Sequence, residues 1–237
     1  MIPERQAIRE NEKYRAHFAF IKENNSRFNL MSNAEIEKGY EHFVERHVFD
    51  ALHALDLGIE WTNKKFVDIG SGSGVPGITL AIALEEMHAS CTLIEATRKK
   101  ADFLGECIHA LDLRNVTVIN DRAENTGRNR EHREYYDISV MRAVGFIDEC
   151  LELSMPLISV SGYSLLYRGQ MSREQEDLST KVSNIFSGKL EKIVNYSIKA
   201  HTKDLCIVLF RKTKPISDEY PRREGIPRKR SQFKQIL

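Results

Sequence analysis

The chain has 237 residues, 41% of them apolar and 29% charged, with a formal net charge of +1. That balance suits a globular α/β domain with an extension and a full core, and the net charge alone says nothing about nucleic acid. Met1 to Asn24 is too charged for a secretory signal, and no run of about eighteen apolar residues occurs. A membrane span is therefore excluded and a cytoplasmic protein expected.

Residues 1 to about 30 predict a helix, because Tyr14, Phe18 and Ile21 fall on one face and Glu, Arg and Lys crowd the other. Asn29-Leu30 ends it, and Ser32-Asn33-Ala34-Glu35 has the capping-box pattern that opens a short second helix. From Glu41 to Leu57, Val44, Val48, Ala51, Leu52 and Leu55 recur at helical spacing and predict a third. These helices are expected to cover one edge of a sheet. Within the third, Arg46, His47 and Asp50 are close enough in sequence to share a face, and a local Arg46–Asp50 pair is their plain reading.

Phe66 to Gly77 reads FVDIGSGSGVPG, a short apolar strand running into Gly70, Gly72, Gly74 and Gly77, with a helix to follow. Gly72, Gly74 and Gly77 also satisfy the G-x-G-x-x-G dinucleotide fingerprint. Asp68 separates the two readings, since a carboxylate beside the loop would repel a pyrophosphate at the helix N-terminus. S-adenosylmethionine has no phosphate and carries an ammonium and a sulfonium, so the same acid would attract it. Pro76 suits the first turn of the helix. Ser90 to Glu95 is a second strand ending in an acid, at the distance where nucleotide-binding folds place a carboxylate on ribose hydroxyls.

Further strands are expected at 116–119, 137–141 and 163–167, alternating with helices at 76–87, 97–111 and 146–157. That alternation implies a Rossmann-like α/β sheet, mainly parallel, with helices on both faces. After a helix at 172–186, strands at 190–198 and 204–210 are joined too closely for a crossover and must form an antiparallel hairpin. The widely spaced Cys91, Cys107, Cys150 and Cys206, with no C-x-x-C, are expected to be reduced thiols, and no metal is expected.

Ligands of such sheets lie beyond the carboxyl ends of the strands. That rule selects the loop from Gly70 to Gly74, with Ser71 and Gly72, then Glu95, then the Asp121-Arg122-Ala123-Glu124 turn, where Ala123 and Glu124 can bracket an adenine and its amino group, then Arg142 to hold a carboxylate or phosphate. From Arg211 onward nine Lys and Arg face three acids. Arg222, Arg223, Arg228, Lys229 and Arg230 form two basic knots suited to an RNA backbone from a poorly structured tail. The chain thus divides into a helical extension (1–60), a cofactor-binding domain (61–213) and a basic tail (214–237).

Taken together, VDIGSGSGVPGI at 67–78, LIEATRKKADFL at 93–104, NVTVINDRAE at 115–124, YDISVMRA at 136–143, RGQ at 168–170 and YPRREGIPRK at 220–229 resemble the bacterial small-subunit ribosomal RNA guanine-N7 methyltransferase G family, also called the glucose-inhibited division protein B family. Asn29-Leu30 and Arg46-His47 with Asp50 belong to the same resemblance. It implies a class I methyltransferase that uses S-adenosylmethionine to methylate N7 of one guanine in the decoding-region loop of 16S ribosomal RNA. Cofactor positions then fall on Gly70, Val75, Ala123, Glu124 and Arg142, with Glu95 at the acidic position. Met141, Val144 and Arg168 depart from the family's usual Ser, aromatic and Lys.

Guanine N7 carries no proton, so no general base is expected and rate should come from alignment. Arg46, His47 and Arg168 are candidates for holding RNA phosphates or the flipped base. The alternatives are a methyltransferase with another RNA or a small-molecule acceptor, and a non-catalytic RNA-binding protein on the same scaffold.

Overall fold

The computed structural model describes residues 4–202 and 204–229. Seven strands form one sheet: β1 (Lys65–Ile69), β2 (Ser90–Ile94), β3 (Val116–Ile119), β4 (Tyr136–Arg142), β5 (Ile158–Gly169), β6 (Gly188–Tyr196) and β7 (Leu205–Lys212). Their order is β3-β2-β1-β4-β5-β7-β6. The first five are parallel, and β7 runs antiparallel to both β5 and β6.

The expected hairpin is present, but its second strand enters the sheet and its first becomes the edge. Burial explains the choice. Cys206 to Phe210 of β7 are buried without a break, as a strand covered on both faces requires, whereas β6 mixes Lys189, Glu191 and Lys192 among its apolar residues and tolerates solvent at the rim.

The connecting helices are α6 (Gly77–Ala83), α7 (Arg98–Ala110), α8 (Ala123–Thr126), α9 (Ile147–Ser154) and α10 (Arg173–Ile185). They follow α1 (Arg5–Glu10), α2 (Glu12–Phe28), α3 (Asn33–Glu37), α4 (Gly39–Phe43) and α5 (Phe49–Leu52). The single helix expected over the first thirty residues is broken at Asn11. Its side chain accepts the amides of Lys13 at 2.9 Å and Tyr14 at 3.3 Å, and so caps α2.

Ser32 caps α3 through the Glu35 amide at 3.3 Å. The Glu35 carboxylate does not return to the cap; it turns to Lys38, His42 and Arg46. The helix expected over 41–57 is a continuous run from Gly39, but residues Val44–Val48 form a π turn. Such turns widen a helix by one residue per hydrogen bond and shift every side chain that follows.

The first sixty residues do more than cover an edge. Tyr14, Ile21, Phe43, Val48 and Leu52 share one apolar cluster with Phe66, Ile78 and Phe103, so the N-terminal helices complete the core on one sheet face. On the other face α9 and α10 pack Leu151 and Val182 against Val67, Ile69, Val208 and Phe210. All four cysteines are free and buried.

The tail is not a loose segment up to Lys229. Arg133 donates to the carbonyls of Ile216 at 3.2 Å, Ser217 at 3.1 Å and Tyr220 at 2.8 Å, and Arg128 donates to Pro221 at 2.9 Å. Arg222 grips Glu152 of α9, with contacts of 2.6 to 3.1 Å from its guanidinium and 2.8 Å from its own amide. A short helix, α11 (Ile226–Lys229), follows.

Glu152 is 1% exposed, so removing its partner strands a buried charge. Arg222→Ala is expected to lower unfolding free energy by roughly 3 kcal/mol in urea titration. Arg223→Ala, at an exposed position, should change it by less than about 0.5 kcal/mol. Equal effects at the two positions would refute this account of how the tail docks.

Candidate functional site

The site begins where β1 runs out. Gly70, Gly72 and Gly74 hold φ of 77°, 55° and 86°, where any Cβ is strained. The amides of Gly70 and Ser71 donate to the Ile94 carbonyl at 2.9 and 3.2 Å, which ties the loop to the end of β2. Pro76, joined to Val75 by a cis bond, stands at the cap position and α6 starts one residue later, at Gly77. A Cβ on Gly77 would lie 2.4 Å from Leu93 Cδ2 and 2.6 Å from Asp68 Oδ2, so glycine alone allows helix and strand to approach this closely. At Gly72 a Cβ would meet only the Gly70 carbonyl, at 3.8 Å; this is the open side of the loop.

Asp68 does not stand beside the pocket as the sequence implied. It is 1% exposed and lies behind the loop, where its carboxylate accepts the Gly77 amide at 2.9 Å. Burial pushes its pKa up to about 7, against the pull of the Gly77 amide and the Arg142 charge. Its effect on a ligand is therefore exerted through the loop it holds and through its field.

Glu95 follows β2 as expected. One oxygen accepts the Gly72 amide at 3.0 Å and the other the Thr97 amide at 2.7 Å. A carboxylate has about four acceptor sites, so capacity for two hydroxyls is left.

Ala123 and Glu124 open α8, both buried. The Glu124 carboxylate, expected to face an adenine amino group, is turned to the tail. It accepts the Gly225 amide at 2.8 Å and the Arg122 guanidinium at 3.2 Å. Two strong donors fixed nearby outcompete an open orientation.

Arg142 at the end of β4 is likewise engaged within the chain. It donates to Asp50 at 3.0 Å and meets His47 Nδ1 at 3.2 Å. Asp50 also accepts the Tyr196 hydroxyl at 2.5 Å. The local Arg46–Asp50 pair is not formed: Arg46 turns to Glu35 at 2.9 Å and to the Ala200 carbonyl at 3.3 Å. Both residues lie at or just after the π turn, which alters the helical offset between them. Desolvation, aided by the Arg142 charge, lowers the His47 pKa to about 3, so this ring is neutral.

One residue of the site escaped the sequence reading. His17 of α2 is fully buried and its Nε2 lies 2.9 Å from the Ser73 carbonyl, inside the glycine loop. An N–H facing a carbonyl donates, so Nε2 carries the proton. Burial lowers the pKa to about 4. The signal was its place on the apolar stripe of Tyr14, Phe18 and Ile21. A polar residue on a core stripe needs a buried partner. Tyr14 adds a hydroxyl bond to the Thr79 carbonyl of α6 at 3.2 Å.

Of the residues expected to meet RNA, Arg168 donates to the carbonyls of Val144 at 3.1 Å and Gly145 at 2.6 Å, bracing the loop after β4. Arg223, Arg228 and Lys229 are exposed on the docked tail, while Arg222 is held by Glu152. Arg230 lies outside the described residues.

The family model described as rRNA small subunit methyltransferase G matches residues 10–206. Among curated proteins, the ribosomal RNA small subunit methyltransferase G of Trichodesmium erythraeum is 31% identical over 225 residues, covering 93% of this chain and 86% of that protein. The protein of the same description from Synechococcus elongatus is 34% identical, with 92% and 88% covered. Among solved structures, Methanococcus jannaschii fibrillarin, a pre-rRNA processing protein, aligns with a TM-score of 0.56 at 12% identity, covering 72% of this chain and 77% of that one. M. jannaschii TYW2 in complex with AdoMet aligns at 0.51 and 19%, with 79% and 78% covered. At such identities these two show a shared fold.

The two histidines give the site an acid limit. His17 titrates near 6.5 when unfolded and about 4 when folded, so the unfolded chain binds its proton first as pH falls. Stability is complete above about pH 6.5 and is lost between 6.5 and about 4, and His47 acts with the same sign. Asp68, raised to about 7, works oppositely over that window. The His17 share is therefore read as a difference. In urea titrations at pH 7 and pH 5, His17→Gln should lose less stability on acidification than the wild type, and an equal loss would refute a buried neutral His17.

Proposed function

The chain belongs to the rRNA small subunit methyltransferase G family, and we propose that it transfers the methyl group of S-adenosylmethionine to N7 of one guanine in the decoding-region loop of 16S ribosomal RNA, in the cytoplasm. No helix among the described residues is long and apolar enough to cross a membrane.

The observation that carries this reading is the chemistry around the glycine loop. The side chains that grip it from elsewhere are two carboxylates, Asp68 and Glu95, and a neutral His17. A pyrophosphate on this loop would meet the Glu95 carboxylate at its edge, with Asp68 buried behind it, whereas a cationic, phosphate-free donor suits that carboxylate. The residues fit that donor. Gly72 offers an open backbone surface, Glu95 has acceptors to spare for ribose hydroxyls, and Ala123, buried at the start of α8, would border the adenine. When bound, the donor supplies an electrophilic sulfonium methyl.

The chain's own residues then align the reaction. N7 attacks as a neutral lone pair, so no proton has to be removed and no general base is required. Holding nucleophile, methyl carbon and sulfur in line at near-attack distance is the rate-giving step, worth several kcal/mol. The ring becomes cationic as the bond forms, and the Glu95 carboxylate at the edge of the loop favours that change. Arg223, Arg228 and Lys229 supply the phosphate contacts, and Arg222 keeps their segment on α9 through Glu152. His47 acts from the π turn by fixing, with Asp50, the position of Arg142, while Arg46 is held by Glu35 and the Ala200 carbonyl.

The direct test is transfer of labelled methyl groups to small ribosomal subunits from cells lacking the gene, followed by mapping of N7-methylguanine in the 16S RNA. Label only at another atom or in another RNA would refute the acceptor. Gly72→Val, which strains the backbone and fills the open face, should weaken S-adenosylmethionine binding at least about tenfold by calorimetry with the fold retained. Replacing Arg223, Arg228 and Lys229 by Ala should flatten the salt dependence of RNA binding by roughly 0.7–0.9 in slope per lost phosphate contact. An unchanged slope would remove the tail from the RNA surface.

A further inference from the structure

Resting on the acceptor just proposed, we infer that Phe146 is the platform on which the target guanine stacks. Among the large apolar side chains described as exposed, Phe146 is the most so, at 54%. It lies between β4 and α9 at the carboxyl end of the sheet, the end that carries the glycine loop.

Its distance from the glycine loop is bounded by the chain. Val144 Cγ2 sits 3.3 Å from where a Cβ on Gly70 would be, so the loop after β4 rests against the first glycine of the cofactor loop. Two residues reach at most about 7 Å, which bounds the separation of the Phe146 and Val144 Cα atoms. The loop is also braced. Ala143 holds φ of 58°, a left-handed conformation unusual for alanine, and Arg168 fixes the next two carbonyls at 3.1 and 2.6 Å. Cys150 adds a bond from its thiol to the Val144 carbonyl at 3.2 Å.

An exposed aromatic on a braced loop beside a methyl-donor site is what a flipped purine needs. Stacking holds the base plane and leaves its edge free, so N7 can be aimed at the methyl carbon without a side chain bonding to it. Arg168 becomes a positioning residue, acting on the base through the carbonyls it holds.

The test uses the full-length chain, small ribosomal subunits lacking the modification, and a tritiated methyl donor. Phe146→Ala should lower kcat/KM by roughly 10- to 100-fold, the loss of one base–aromatic stack, with S-adenosylmethionine affinity and Tm unchanged. Phe146→Tyr and Phe146→Trp should stay within about threefold of wild type, and Phe146→Leu, with bulk but no ring, should fall with the alanine variant. Full activity in Phe146→Leu, a loss in Phe146→Trp equal to that in Phe146→Ala, or a parallel loss of cofactor affinity would overturn the stacking role alone. A wild-type chain that labels no guanine N7 would overturn the acceptor assignment and this inference with it.

Discussion

A buried carboxylate that accepts the first amide of a helix is the constraint on which this structure turns. Asp68 at the end of β1 takes the Gly77 amide at 2.9 Å from a position that is 1% exposed. The bond works only because residue 77 has no side chain, and it holds α6 against β2 so closely that a methyl group would strike Leu93. With the helix so placed, the intervening residues close in left-handed conformations that present backbone to the ligand. Glu95 then secures the far side of the loop through the Gly72 amide. Each of these contacts is ordinary, and together they fix one conformation of a glycine motif otherwise shared with dinucleotide sites.

The same loop is held from outside the sheet. His17 reaches it from α2 and Tyr14 reaches α6, so the N-terminal helices reinforce the site as well as completing a core. The π turn in the long helical run has a similar consequence. It turns Arg46 toward Glu35 and leaves Asp50 to Arg142 and Tyr196, which joins the helical extension to β4 and β6. Burying so many charged groups carries a desolvation cost, which is offset only when every partner is present. That makes the network a poor source of stability and a strong specifier of position.

On the opposite side the tail docks by the same logic. Arg222 neutralises the buried Glu152, and the Gly225 amide meets Glu124 at the start of α8. The segment that carries the exposed Arg223, Arg228 and Lys229 is thereby fixed against α9 and the start of α8.

The sequence alone determined whatever follows from local periodicity and local chemistry. Four glycines after an apolar strand, an acid ending the next strand, and the alternation of strands with helices were enough for the sheet and the loop, because hydrophobic pattern and glycine's freedom act over a few residues. The partners of the charged groups were decided by tertiary structure. Asp68 went behind the loop, Glu124 and Arg142 went to distant segments, Arg222 went to α9, and His17 entered the site from fifty-six positions away. A buried charge takes the best donor or acceptor that folding brings within 3 Å, and that neighbour is set by packing across the whole chain rather than by anything written beside the residue.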